Sequence, residues 1–138
     1  MEMPDALKIA LESRAEGISI EKLKISAAAL SERYRCESGR GKRLVTDATD
    51  AAAYAFVRMP ATFGAIYTAL RYTLEAADTE IRTVLDVGAG TGASAWAVSE
   101  LIPSVEKFSC MDRESSMLLF GSALLRDAWF SKKVEWIH

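Results

Sequence analysis

Three glycines and two carboxylates carry the chemistry that this sequence can do. In "TVLDVGAGTGASAW", Thr83 to Trp96, the pattern is Asp86-x-Gly88-x-Gly90-x-Gly92. A sharp turn at Gly88 needs backbone angles that glycine adopts freely. At Gly90 the main chain can approach a ligand, because a Cβ there would occupy the ligand's space. At Gly92 the missing side chain lets a helix pack closely on a strand. Backbone N–H groups at the start of that helix favour an anionic group. A turn built from Gly88, Ala89, Gly90, Thr91 and Gly92 suits a dinucleotide, a nucleotide phosphate or S-adenosylmethionine, whose carboxylate would be the anion. Asp112, at the end of the next apolar run, is placed to hold ribose hydroxyls.

Spacing narrows the choice without closing it. A Walker loop is excluded, since no Lys-Ser or Lys-Thr pair follows the glycines. Gly88-x-Gly90-x-x-Ala93 also satisfies the looser dinucleotide fingerprint, which keeps an NAD-dependent oxidoreductase as a third reading. Two features favour S-adenosylmethionine. The NAD fingerprint usually has an apolar residue where Asp86 stands, and the third glycine comes at Gly92. An acid beside a sulfonium and an amino group is electrostatically favourable.

These residues need a strand before the turn and a helix after it, and the sequence supplies both. "TVLDV" reads as a short strand, and "TGASAWAVSELI" as a helix stopped by Pro103. "KFSCMD" is a second strand. "SSMLLFGSALLRDAWF" is a second helix with Met117, Leu118, Gly121, Leu124, Leu125 and Ala128 inward, and "KVEWI" is a third strand. Strand, helix, strand, helix, strand is the order of a parallel α/β sheet with right-handed crossovers. Trp96 and Cys110 fall at core positions of this pattern.

The preceding residues read as helices. Pro4 suits a helix start, Gly17 a left-handed C-cap and Ser19 an N-cap. Ile20, Leu23, Ala27, Leu30 and Tyr34 form an apolar stripe at steps of three and four. "CESGRGKR", Cys36 to Arg43, reads as a loop. Thr46 or Asp47 caps a third helix, and Pro60 is expected to divide it from a fourth that carries Phe63, Ile66, Tyr67, Leu70 and Leu74, because proline disfavours helical geometry at Met59. The expected fold is α/β: an N-terminal helical region (residues 1–80) and an incomplete Rossmann-like doubly wound parallel sheet of about three strands (residues 81–138).

Composition excludes several classes. The chain has 138 residues and a net charge of −2, so no overall basic field draws it to nucleic acid. Any RNA contact would be a local patch. Arg33, Arg35, Arg40, Lys42 and Arg43 form one such cluster, a candidate phosphate-contacting loop. The two cysteines fit no metal spacing and read as reduced thiols of a cytoplasmic protein. The single histidine, His138, cannot build a catalytic or metal cluster, so no metal site is expected. No apolar run approaches the roughly 20 residues that span a membrane, and the acidic start lacks the order of a signal peptide or presequence.

"AYAFVRMPATFGAIYTAL", Ala53 to Leu70, together with "LSERYR" and "LDVGAGTGASAWA", resembles the bacterial and mitochondrial family of small-ribosomal-subunit methyltransferase-like proteins. The glycine motif is shared by many methyltransferases; the Arg58 to Thr62 segment in this position is far more specific. The resemblance implies S-adenosylmethionine as cofactor and small-subunit rRNA, or the ribosomal subunit itself, as partner. It implies either an rRNA methyltransferase or a non-catalytic assembly factor for the small subunit. If the Arg58 segment folds over the cleft, Arg58 would pair with the cofactor carboxylate or an RNA phosphate. Family members carry further strands, and many have a cysteine cluster that holds iron–sulfur. The resemblance covers their front half only, so a fragment inactive by itself is expected, with catalytic residues lying elsewhere. Such a piece would either self-associate through the edge of its Val84 strand or cover that edge with its N-terminal helices.

Overall fold

Local signals set the helix ends in the computed structural model, which describes residues 2–37, 39 and 41–138. Helix α1 (Asp5–Ala15) starts at Pro4, and Gly17 follows it with φ +89°. At the start of α2 (Ile20–Glu37), Ser19 Oγ accepts from the Lys22 N–H at 3.2 Å. At the start of α3 (Ala48–Ala76), the Asp47 carboxylate accepts from the Asp50 N–H at 2.8 Å. Then come β1 (Thr83–Val87), α4 (Ala93–Leu101), β2 (Lys107–Met111), α5 (Ser115–Leu125), a single 3₁₀ turn and β3 (Val134–Ile137).

The expected division at Pro60 is not found. Helix α3 runs through the proline for 29 residues. Interior proline removes a hydrogen bond and crowds the carbonyl four residues earlier, at a cost of about 3 kcal/mol. The buried face explains why the helix continues. Ala51, Ala55, Met59 and Phe63 recur at steps of four on both sides of Pro60, and all are buried. Breaking the helix would turn half of that stripe away from α4 and α5, against which α3 packs. The α2 stripe is shorter than expected: Leu30 is buried, while Ile20 at the helix start is exposed.

All three strands are parallel, in the order β1-β2-β3. Asp86 pairs with Cys110, which pairs with Trp136. One face of the sheet, with Val84, Phe108, Cys110, Val134 and Trp136, meets α4 and α5 in a core shared with Leu7, Leu11, Met59 and Phe63. The N-terminal helices and the sheet therefore share one hydrophobic core. Cys110 is fully buried in it, and burial, with Asp86 nearby, pushes its thiol up to about 12. Trp96 is also core, edge-on to Phe130 at 5.1 Å. The opposite face carries Leu85 and Val87, which are 61% and 71% exposed. A smaller cluster of Leu30, Val45, Ala51, Ala53 and Met117 joins α2 and the segment before α3 to α5.

Candidate functional site

The turn after β1 is tied to the end of β2. Gly88, Gly90 and Gly92 take φ of +81°, +56° and +83°. The N–H groups of Gly88 and Ala89 donate to the Met111 carbonyl at 2.8 and 3.0 Å. Asp112 binds on both sides: Oδ2 accepts from the Gly90 N–H and Oδ1 from the Glu114 N–H, each at 2.8 Å. One carboxylate thus braces the glycine turn and the start of α5, and each oxygen keeps a lone pair for a ligand hydroxyl. Asp86, on the helix-covered face, accepts from the Ser94 hydroxyl on the first turn of α4.

The three glycines are not equivalent, and one expected role moves. A Cβ at Gly88 would enter open space, and Gly88 lines a cleft at the strand ends. A Cβ at Gly90 would instead lie 3.2 Å from Met117 Cε and 3.9 Å from Tyr54 Cε1. Gly90 is therefore buried under protein, and the bare approach to ligand space belongs to Gly88. At Gly92 the close packing is as expected: a Cβ would stand 2.8 Å from Trp136 Cη2. Gly121 of α5 makes the same demand. Its Cβ would fall 2.7 Å from Trp136 Cη2 and 2.8 Å from the Thr91 carbonyl oxygen. The Trp136 ring is wedged against two glycines.

The cleft has a volume of about 580 Å³, within the usual range of about 300–1,000 Å³ for small-molecule sites. Val87, Gly88, Met111 and Asp112 form its floor, Glu114 and Met117 one side, and Tyr34, Leu44 and Val45 the other. The second side is held by a buried ion pair. Arg33 reaches Asp50 with two bonds of 3.1 Å and donates to the Leu44 carbonyl at 2.7 Å. Ser26, Thr46 Oγ1 and the Thr46 N–H also donate to Asp50. Burial by itself would raise the Asp50 carboxyl, but these donors hold it below the ordinary carboxylate range. At the mouth, Arg43 bonds Glu114 at 2.7–2.8 Å and Arg113 donates to the Lys42 carbonyl. Burial, with Tyr54 and Asp112 nearby, raises the Tyr34 hydroxyl, which stays protonated at neutral pH.

Among the described residues of the basic cluster, each cation pairs with a different acid. Arg33 points inward to Asp50, which removes it from the phosphate contacts expected of it. Lys42 lies 3.6 Å from Glu37, Arg43 is paired with Glu114, and Arg35 reaches only the exposed Glu32 at 3.1 Å. Arg40 lies outside the described residues. Arg58 is exposed and sits away from the cleft lining, in a groove of about 180 Å³ between α2 and α3 with Arg35, Tyr34 and Tyr54. Asp50, Glu114, Gly121 and Tyr54 were not singled out from sequence as parts of a site. Tyr54 had a visible signal, its helical spacing beside Arg58, but a tyrosine in an apolar helix reads equally as core.

Comparison with known proteins decides the family. A family model described as mitochondrial small ribosomal subunit Rsm22 matches residues 48–138, from the start of α3 to the end of the chain. The chain belongs to the Rsm22 family. The matched span holds the glycine turn, Asp112 and Arg58; α1 and α2 precede it. Among solved structures, "PigF with SAH" is similar to this Rsm22-family chain with a TM-score of 0.53 at 15% identity. The match covers 92% of this chain and 39% of that one, so the chain spans about two fifths of PigF. At that identity the likeness shows the fold: a Rossmann-like α/β sheet preceded by helices. No curated protein matches the sequence.

Proposed function

We propose that this Rsm22-family chain binds S-adenosylmethionine in the cleft and serves methyl transfer to small-subunit rRNA. The observation that carries the reading is the bare backbone of Gly88 facing the cleft, beside a carboxylate already fixed by the turn. The residues present fit the cofactor. The N-terminus of α4 sets a helix dipole behind the turn that favours a carboxylate, Asp112 keeps lone pairs for a ribose diol, and Val45 and Met117 give apolar walls. SAH in PigF, which has the same fold, is the demethylated form of this cofactor and supports the choice over NAD.

Bound S-adenosylmethionine supplies an electrophilic methyl group for in-line displacement. The chain's own work is positioning. Asp112 orients the ribose end, Asp86 and Ser94 set the first turn of α4, and the Arg33–Asp50 pair keeps the Leu44–Val45 wall in place. Free cysteines at positions 36 and 110 suit a reducing compartment such as the cytoplasm. A second reading, a non-catalytic assembly factor that keeps the cofactor fold as scaffold, is favoured by the ribosomal-subunit description of the family.

Titration calorimetry with S-adenosylmethionine, its demethylated product and NAD tests the cofactor. We expect both sulfur ligands to bind and NAD not to. Gly88→Val should abolish binding, and Asp112→Ala should weaken it about 10- to 100-fold through lost charged hydrogen bonds. No heat from a folded wild-type chain with either sulfur ligand would refute the reading. Binding without label transfer to small-subunit rRNA would select the assembly-factor reading.

A further inference from the structure

The groove between α2 and α3 has a chemistry that the cofactor cleft does not use. Tyr34 and Tyr54 form one wall, with ring centroids 6.0 Å apart and planes inclined by 34°. Arg35 and Arg58 stand at the rim, both exposed. Among the described residues Arg58 makes no ion pair or side-chain hydrogen bond, and Arg35 has only the weak surface pair with Glu32. Ser31 adds a hydroxyl and Leu30 an apolar base. At about 180 Å³ the groove is below the size of a cofactor site. It has room for one flat ring with a phosphate at its edge.

We infer that this groove holds a single unstacked nucleotide of an RNA strand, its base against Tyr34 and Tyr54 and its phosphate on Arg35 and Arg58. The inference rests on the proposed rRNA partner and adds the place of contact. Aromatic faces and guanidinium planes are the means by which proteins hold splayed bases of single strands. Two cations without strong partners, next to a pair of tilted tyrosine rings, complement a nucleotide better than a purely acidic or purely apolar ligand. The location fits as well. Tyr34 lines both the groove and the cofactor cleft, and Tyr54 lies over Gly90 of the glycine turn. A strand crossing the groove passes beside the cleft, where a neighbouring nucleotide would meet the methyl donor.

The test uses the full 138-residue chain and a fluorescein-labelled 12-nucleotide single-stranded RNA of mixed sequence, titrated at several salt concentrations. We expect the double variant Arg35→Gln/Arg58→Gln to lower the slope of log affinity against log salt by about 1.4, two phosphate contacts on a single strand. Tyr34→Leu should weaken binding about 5- to 150-fold, the loss of one stacked base, with less effect on the salt slope. The conservative Arg58→Lys should keep most of the slope. Circular dichroism melts of each variant establish that the fold is intact, and S-adenosylmethionine titrations of the arginine variants that the cleft is intact. RNA binding with the wild-type slope in the arginine variant and wild-type affinity in Tyr34→Leu overturns the groove and leaves the rRNA reading standing. A folded, cofactor-competent wild type that binds no RNA overturns both. Binding of an acidic peptide at the groove in preference to RNA overturns the nucleotide assignment.

Discussion

The floor of the cleft and its N-terminal wall are built from opposite materials. The floor rests on close packing behind it: Gly92 and Gly121 admit the Trp136 ring, and the turn hangs from the Met111 carbonyl and the Asp112 carboxylate by hydrogen bonds. Its shape depends on volumes that cannot change. The wall, Leu44 and Val45, depends on a buried ion pair and its donors, Arg33, Ser26 and Thr46 around Asp50. Its stability depends on charge. The difference teaches that the floor of the cleft is fixed by packing, while its N-terminal wall rests on interactions that titrate.

The strongest way to break the comparison is to crowd the floor. Gly121→Val would drive a branched side chain into Trp136 and the Thr91 carbonyl. Overpacking typically costs about 1–3 kcal/mol and occasionally more, and here one of the obstructing atoms is backbone. We expect a loss near or above the top of that range, with cofactor binding lost at temperatures where the chain is still folded. Urea melts and calorimetry check it. Wild-type stability would mean that the floor is soft and the contrast false.

The wall should fail next. Arg33→Met strands the Asp50 carboxylate among groups that no longer neutralise it. Removing one partner of a buried pair costs about 3–5 kcal/mol; Arg33 is partly exposed, so about 2–3 kcal/mol is expected. If the wall is a separate device, cofactor affinity should fall less than it does in Gly121→Val, because Asp112 and the glycine turn are untouched. An Arg33→Met loss below about 0.5 kcal/mol would make the pair an ordinary surface contact.

Acid sharpens the same point. The Asp50 carboxyl is held below its unfolded value of about 4, so its contribution is present above that pH and disappears as pH falls toward the folded value. The wild type should lose stability as pH drops from about 4, and Asp50→Asn, already less stable at neutral pH, should show a flatter acid limb. Urea midpoints measured between pH 7 and pH 3 would reveal it. Parallel limbs would assign acid sensitivity to other carboxylates.

How much of this was readable follows the same division. The floor was legible, because a glycine turn between strand and helix imposes local backbone needs that residue types reveal. Asp47, Ser19 and Gly17 marked helix ends for the same reason. What stayed hidden depended on partners far apart in sequence. Arg33 looked like a surface cation in a basic run, and only the fold brings Asp50 to it. Pro60 looked like a boundary, because the packing that carries α3 through it lies on α4 and α5. Spacing makes Gly90 the expected ligand-facing glycine, but it does not say which glycine lies under Met117 and which lines the cleft.

The smallest expected effect on stability tests the side of the sheet that neither region covers. Strand β1 lies at the edge, so it offers unpaired N–H and C=O groups along one side. Its outward residues Leu85 and Val87 are largely exposed. The N-terminal helices pack with α4 and α5 on the opposite face. We therefore expect the 138-residue chain to self-associate reversibly at micromolar concentration, burying Leu85 and Val87. The variant Leu85→Lys/Val87→Lys places charge on that surface, a device by which natural edges avoid pairing. It should be monomeric by sedimentation velocity while its stability changes by no more than about 0.5 kcal/mol, as for surface sites without buried partners. Cofactor affinity should fall in this double variant, because Val87 forms part of the cleft floor, whereas Leu85→Lys alone should leave it unchanged. A monomeric wild type at high concentration would show that Lys107, Glu135 and the other polar groups on that face already keep copies apart.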